Sequence, residues 1–108
     1  LPPGDLRSSF FQTFGFDPLP DVFRVEASYP NPFNPVTNIK YEVPNRGDVV
    51  IKVFNLNGEQ IENHEIYDLD IGYYTYAWDA HNFSSGIYFI SIYYNKKLIN
   101  SQKLILIK

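Results

Sequence analysis

The sequence predicts an all-β fold, an antiparallel β-sandwich of about seven strands in the immunoglobulin-like or fibronectin-III-like class. Short segments in which apolar and polar residues alternate recur at even spacing, and turn residues separate them. No segment shows the apolar 3.6-residue period of a helix. The length of 108 residues suits one domain with a single core.

The chain divides into an N-terminal arm, residues 1–22, and a domain, residues 23–108. The arm has four prolines, two glycines and no sustained periodicity, which is typical of a linker that follows another domain. We expect the chain to be a piece of a larger protein or a processed product, because it starts at Leu1 and contains no methionine. A solvated spacer has few aromatic residues, so we expect some of the arm's phenylalanines to pack on a domain. They are Phe10, Phe11, Phe14 and Phe16.

The first half of the domain predicts four strands. "FRVEAS" is the first, and "TNIKYEV" places Ile39, Tyr41 and Val43 on one face. "VVIKVFNL" and "EQIENHEIY" follow on either side of Asn57-Gly58. This dipeptide is a strong hairpin signal and predicts a type I′ turn with positive φ at both residues.

The second half predicts three further strands. "YYTYAWD" places Tyr74, Tyr76 and Trp78 on one face, "IYFISIYY" runs to a tight turn at "NKK", and "LINSQKLILIK" closes the chain. The residues expected in the core are Ile39, Tyr41, Ile51, Val53, Trp78, Tyr88, Ile90 and Ile92. The opposite face of the sixth strand is more apolar than a solvated sheet requires, which predicts a covered face or a contact surface. Its residues are Ile87, Phe89, Ser91 and Tyr93.

Composition and residue types argue against several functions. The net charge is −3, so no basic surface exists for nucleic acid. The absence of cysteine removes disulfides, thiolate metal sites and thiol nucleophiles. His64 lies within a strand, His81 lies in a turn, and no nucleophile motif surrounds a serine or threonine, so no catalytic residues are assigned. No segment approaches the roughly 20 apolar residues that span a bilayer. No cofactor is expected.

Two binding alternatives remain open in the sequence. Asp68, Asp70 and Asp79 could meet with His81 at one end of the sandwich, but "DLDIG" lacks the ligand spacing of a calcium loop, and no metal site is predicted. The tyrosines and the tryptophan could form a flat platform for sugar rings, although sheets also favour aromatic residues for packing alone. The platform residues would be Tyr73, Tyr74, Tyr76, Trp78, Tyr88, Tyr93 and Tyr94.

The segment "YPNPFNP", residues 29–35, holds three prolines and two asparagines. Each proline fixes its φ and removes a backbone donor, so the segment cannot join a central strand. It is predicted to be a rigid crossover between sheets, with Tyr29 and Phe33 as apolar pegs and with the asparagine amides satisfying local backbone groups. A pre-ordered segment is also a good recognition epitope, because little entropy is lost on binding.

Four stretches in order, "YPNPFNPVTNIKYEVP", "VVIKVFNLNGEQI", "SSGIYFISIYYNKK" and "KLILIK", resemble the C-terminal sorting domains of the type IX secretion system. They are also similar to related immunoglobulin-like domains, such as that of the flagellar hook-capping protein. Such domains end many secreted proteins of the Bacteroidetes and neighbouring phyla. The likeness covers residues 23–108.

The resemblance rests on motifs at Pro30-Asn31-Pro32, at Asn57-Gly58, at Gly86-Ile87-Tyr88 and in the basic-apolar-basic ending. It implies a recognition motif of fourteen residues. They are Pro30, Asn31, Pro32, Phe33, Asn34, Pro35, Gly86, Tyr88, Lys103, Leu104, Ile105, Leu106, Ile107 and Lys108.

The function that the resemblance implies is a non-catalytic module for secretion, sorting and surface attachment at the end of a larger exported protein. The expected partners are an N-terminal cargo domain, the outer-membrane secretion machinery and a sortase that cuts within residues 1–22. The implied route runs through the periplasm to the cell surface or the medium. The final strand would be the main recognition element, and the edge of "LILIK" could pair with a receptor strand by β-augmentation. The alternative function is a carbohydrate-binding accessory domain of a secreted hydrolase, with a polysaccharide as partner.

Overall fold

A computed structural model describes residues 19–108, which form seven antiparallel β-strands. The strands are β1 (Arg24–Val25), β2 (Val36–Val43), β3 (Gly47–Asn55), β4 (Gln60–Leu69), β5 (Gly72–Asp79), β6 (Gly86–Tyr94) and β7 (Lys97–Leu106). The expected packing of the arm's four phenylalanines falls on residues 1–18, outside the described residues, as does most of the implied cleavage region.

The strands form two sheets, one in the order β1-β2-β5 and one in the order β4-β3-β6-β7. Every pair is antiparallel. The connections β2–β3, β4–β5 and β5–β6 cross from one sheet to the other, whereas β3–β4 and β6–β7 are hairpins. The segment 29–35 joins β1 to β2, which are neighbours in one sheet, so the predicted crossover between sheets is wrong. This arrangement confirms the predicted immunoglobulin-like sandwich. The first strand is shorter than predicted, because only Arg24 and Val25 pair with β2.

The inward faces of both sheets form one hydrophobic core. All eight residues predicted for the core are buried, because the period-2 alternation assigns each side chain to one face of its strand. Trp78 lies at one end of this core, with its ring centroid 5.6 Å from Phe33, 5.7 Å from Phe83 and 5.3 Å from Tyr88. Its indole Nε1 is buried and has no hydrogen-bond acceptor within residues 19–108.

Tyr88, near the start of β6, ties its strand to the preceding loop. The ring is buried, and its hydroxyl donates a hydrogen bond of 2.6 Å to the carbonyl oxygen of Ser84. Immunoglobulin-like sandwiches use a tyrosine in the same way at the corner before the sixth strand. The Gly86-Ile87-Tyr88 motif therefore has a structural role in this fold.

The prediction of a type I′ turn at Asn57-Gly58 is wrong. The amide N–H of Gly58 donates to the carbonyl of Asn55, and among residues 56–58 only Gly58 has positive φ, at 82°. The side-chain oxygen of Asn55 accepts hydrogen bonds from the amides of Asn57 and Glu59, and these bonds stabilise a longer loop. The two-residue turn with positive φ at both positions lies between β6 and β7, at Asn95 (49°) and Lys96 (69°).

The outward face of β6, predicted to be covered or to form a contact surface, is partly exposed within residues 19–108. Ile87 and Phe89 each expose 36% of their surface. Ser91 is buried on this face, and Tyr93 is half-buried beside Lys52, whose Nζ lies 5.4 Å from the ring centroid.

Candidate functional site: the proline segment and the last strand

The opening and closing motifs of the domain lie side by side, although about 70 residues separate them in sequence. Gly86 pairs with Leu106 and Tyr88 pairs with Leu104 in the β6–β7 ladder. On the other side of β7, Phe33 forms a parallel bridge with Leu106. Strand β7 therefore lies between the glycine-x-tyrosine motif and the proline segment, residues 29–35.

Asn31 takes the place of a peptide group beside β7. Its side-chain Nδ2 donates a hydrogen bond of 2.8 Å to the carbonyl of Lys103, and its Oδ1 accepts one of 3.0 Å from the amide of Ile105. One carboxamide thus satisfies a donor and an acceptor on the outer edge of the strand. The asparagine amide was predicted to satisfy local backbone, but its backbone partners are on the last strand, and its local partner is the hydroxyl of Ser28 at 3.3 Å.

Phe33 continues the same ladder with its backbone. Its amide donates to the carbonyl of Ile105, and its carbonyl accepts from the amide of Ile107, both at 2.9 Å. Its ring is 2% exposed and packs on Trp78. The prediction of Phe33 as an apolar peg is therefore confirmed.

The segment has additional anchors on both sides. The buried hydroxyl of Thr37 donates to the carbonyl of Pro30 at 2.7 Å. Gln102 on β7 accepts from the amide of Ser28 through Oε1 and donates to the carbonyl of Glu26 through Nε2. All three X–Pro bonds of the segment are cis. Thr37 and Gln102 lay outside the predicted motif, because the local sequence gives no sign of a partner so distant in the chain.

Tyr29 and Asn34 differ from the prediction for this segment. Tyr29 exposes 79% of its surface, so it is not a peg in the core. Its backbone exchanges two hydrogen bonds with Asn38, and these place its side chain outside the sandwich. Asn34 is exposed as well and makes no hydrogen bond to another described residue.

The last residue, Lys108, is bonded to the β5–β6 loop. The amide of Lys108 donates to Ser85 Oγ at 3.0 Å, and its Nζ donates to the carbonyl of His81 at 2.6 Å. His81 in turn donates its backbone N–H to Asp79 Oδ1, and this hydrogen bond is the main cause that lowers the pKa of the Asp79 carboxyl group. The end of the chain is therefore held in place.

Burial divides the ending "KLILIK" into a buried and an exposed set, with Ile105 half-buried between them. Leu104 and Leu106 are fully buried core residues, whereas Lys103, Ile107 and Lys108 are exposed. On the outer edge, the backbone groups from the Lys103 carbonyl to the Ile107 amide are already bonded to Asn31 and Phe33. The β-augmentation considered for this stretch would therefore have to displace the proline segment first.

The structure does not present the aromatic platform that the sequence left open as an alternative. Trp78 and Tyr88 are in the core, while Tyr74 and Tyr76 are half-buried against it. Of the seven platform residues only Tyr73 is classed as exposed, at 52%. The alternation that sends every second aromatic inward explains this outcome.

The aspartates considered for a metal site lie apart. Asp68 and Asp70 precede β5 and pair with Arg46 at 3.4 Å and 3.3 Å, whereas Asp79 ends β5 and pairs with His81. Within residues 19–108, no three His, Cys, Asp or Glu side chains are grouped closely enough to hold a metal ion. The same part of the chain has no helix with the length and apolarity to cross a membrane.

Comparisons with known proteins agree with this architecture. The crystal structure of dimeric latent PorU from Porphyromonas gingivalis aligns with 85% of this chain at 18% identity and a TM-score of 0.64, which supports the fold. It spans only 10% of that PorU chain. A DNA-bound alkylpurine DNA glycosylase AlkC from Pseudomonas fluorescens matches at 9% identity, 80% coverage of this chain, 30% of that chain and a TM-score of 0.47. No curated protein sequence matches.

The sequence match identifies the family. Residues 27–108 match the family described as the secretion system C-terminal sorting domain, from just before the proline segment to the last residue. The matched region contains both motifs that meet at β7, and it covers most of the chain. The chain therefore belongs to the type IX secretion system C-terminal sorting domain family.

Proposed function

We propose that the secretion machinery recognises this sorting domain in its folded state, at the strip where the proline segment covers β7. Membership of the family makes the domain a non-catalytic sorting signal and implies export to the cell surface or beyond. The observation that supports the strip is that Asn31 and Phe33 join the opening motif to the closing motif by four hydrogen bonds.

The exposed side chains of the strip are the groups that a partner can contact without unfolding the domain. Lys103 and Ile107 project from β7 and its end, and Ile107 exposes 53% of an apolar surface. An exposed apolar side chain flanked by cations suits a receptor groove with an apolar floor and acidic rim. Deleting Lys103 to Lys108 would not test this, because it removes the core residues Leu104 and Leu106.

The test is export of a reporter that carries residues 1–108 at its C-terminus in a type IX-competent bacterium. The test variant is Lys103→Ser with Ile107→Ser. The matched control is Lys97→Ser with Leu98→Ser, since Leu98 is 52% exposed at the other end of β7. We expect the test variant to remain in the periplasm and the control to reach the surface, with both purified domains melting like the parent. If both variants are exported equally well, the strip is not the surface that the machinery recognises.

Surface attachment is the second half of the proposal. A sortase cuts within residues 1–22 and joins the cargo to a surface lipopolysaccharide, in line with what the family resemblance implies. Separate epitope tags on the reporter and on the domain test this step. We expect surface reporter without the domain tag; surface reporter that keeps both tags would show that the domain stays attached.

A further inference from the structure

The outward face of the sheet β1-β2-β5 carries a continuous trough. Two adjoining depressions, of about 460 Å³ and about 130 Å³, share Glu26, Lys40 and Thr75. Tyr29 lines the larger depression, and Tyr73 lines the smaller one. We call this surface the tyrosine trough; it lies on a different sheet from β7.

Both tyrosines are exposed, and their backbones are held in place. Tyr29 is 79% exposed and Tyr73 is 52% exposed. The backbone of Tyr29 exchanges hydrogen bonds of 2.9 Å and 3.0 Å with Asn38, and Tyr73 is aligned with Glu42 in the β2–β5 ladder. Since the backbone is already ordered, a ligand that stacks on these rings loses little conformational entropy.

The backbone positions of Tyr29 and Tyr73 are far enough apart for a ligand several sugar units long to contact both rings. Asn38 and Glu42 are four positions apart on β2, which corresponds to about 13 Å along the strand. Tyr29 and Tyr73 flank β2 on opposite sides, because Tyr29 bridges to Asn38 next to β1 whereas Tyr73 belongs to β5. A ligand that contacts both rings therefore crosses the sheet diagonally.

The middle of the trough offers polar groups among mixed charges. The side chains of Asn38, Lys40 and Thr75 make no hydrogen bond to any residue between 19 and 108, so their donors and acceptors face solvent. Lys40 lines the trough with the carboxylates Glu26 and Glu42, and Arg24 at its border lies 3.9 Å from Glu42 and 3.7 Å from Asp21. Because carboxylates outnumber cations here, the surface disfavours an anionic ligand and suits a neutral one rich in hydroxyl groups.

We propose that the tyrosine trough binds a neutral polysaccharide, with the apolar faces of two pyranose rings stacked on Tyr29 and Tyr73. Asn38, Lys40 and Thr75 then hydrogen-bond sugar hydroxyls between the two rings, as the few polar groups of a binding site fix a ligand that aromatic surface holds. This binding is independent of sorting at β7. It shares Tyr73 with the aromatic platform considered from the sequence, but it uses Tyr29 and not Trp78 or Tyr88, which are buried in the core.

The experiment is native gel electrophoresis of the 108-residue chain through gels that contain a soluble β-glucan, a xylan or a galactomannan. The variants are Tyr29→Ala and Tyr73→Ala, with Tyr67→Ala as control, because Tyr67 is 64% exposed on the other sheet. We expect at least one polysaccharide to retard the parent and the control. We expect each trough variant to bind about tenfold more weakly, while Tyr29→Phe and Tyr73→Phe bind like the parent.

Three results would overturn the proposal. They are no retardation in any of the three gels, equal weakening by Tyr67→Ala, and stronger retardation by the acidic polysaccharide polygalacturonate than by the neutral ones. Export of the reporter with Tyr73→Ala separates this site from the sorting strip, since we expect that export to be normal. If Tyr73→Ala blocks export and no polysaccharide binds, the trough is a protein-binding surface and the sugar proposal fails.

Discussion

The two edge strands of the four-stranded sheet are protected in different ways. Along β7, Asn31 and Phe33 occupy the outer backbone groups from Lys103 to Ile107, and a register shift near Ile99 interrupts the first half of the strand. Along β4, no strand or segment of residues 19–108 pairs with the outer edge. Exposed edges of this kind invite pairing with other chains unless charges or bulges prevent it.

Strand β4 relies on charged and polar side chains instead. Glu62 and His64 are aligned with the buried residues Val53 and Ile51, so they point toward the sandwich interior at its rim. The His64 ring lies 5.0 Å from the ring of Tyr76 on the other sheet. Inward-pointing charges oppose the approach of a further strand. One edge is thus covered by the chain itself and the other is guarded by charge, and only the covered edge contains the family's motifs.

The largest expected effect is the loss of stability when the proline segment loses its packing at β7. Phe33→Ala removes a ring that is 2% exposed and packs on Trp78, so we expect the free energy of unfolding to fall by about 3 kcal/mol. Urea denaturation of the 108-residue chain measures it. Tyr29→Ala, in the same segment but exposed, should change stability by less than about 0.5 kcal/mol. Equal losses in the two variants would show that the segment is not docked through Phe33.

A smaller effect is expected from the side chain that replaces a peptide group. Asn31→Ala leaves the Lys103 carbonyl and the Ile105 amide without their partner, which should cost about 1 kcal/mol because both groups lie near solvent. Hydrogen exchange of the Ile105 amide should accelerate. Asn34→Ala is the matched control, and similar exchange in both variants would contradict the edge-cover role of Asn31.

Removing charges from the outer edge of β4 should promote self-association of the domain and change its folding stability little. Replacing Glu62 and Glu65 by threonine removes two charges from β4 and raises its strand propensity. We expect self-association in light scattering at high protein concentration, with the free energy of unfolding changed by less than about 0.5 kcal/mol. The control is Glu59→Thr in the loop before β4. A monomeric double variant would mean that shape, and not charge, protects this edge.

The smallest expected effect is a shift in alkaline titration at the same edge. Burial, and next the charge of Glu62, raise the pKa of Tyr76 above its ordinary value, and burial raises the pKa of Tyr41 to about 12. Because the folded state prefers the neutral phenols, their stabilisation is complete below a pH of about 10 and is lost as the pH rises through the folded pKa values.

Glu62→Gln should therefore lower the pKa of Tyr76 and leave the pKa of Tyr41 unchanged. Ultraviolet absorbance during alkaline titration measures it, with Tyr76→Phe as the difference reference. An unchanged curve would show that the charge at position 62 does not act on Tyr76.

Alternation predicted most of the fold, because a strand that is half-buried must place every second side chain in the core. "TNIKYEV" and "YYTYAWD" show this directly, with Ile39 and Trp78 buried as expected. The turn type was harder to predict. Asn57-Gly58 has the dipeptide of a type I′ turn, but the side chain of Asn55 stabilises a longer loop there.

The geometry of the proline segment was beyond prediction from local sequence. Tyr29 and Phe33 are both aromatic residues among prolines, but Tyr29 pairs with β2 and is exposed, whereas Phe33 pairs with β7 and is buried. The partners of Asn31 lie 72 and 74 residues away, a distance at which propensity and periodicity carry no information. The resemblance pointed to both motifs, but their contact depends on the way the sheets pack.

The position of Trp78 gives the domain a natural optical reporter. It is the only tryptophan of the chain, and Phe33 lies directly on its ring. If the proline segment lifts away from β7, water reaches the indole and its fluorescence emission moves to longer wavelength. A single spectrum can therefore distinguish a receptor that reads the closed domain, which leaves the emission unchanged, from one that first opens it.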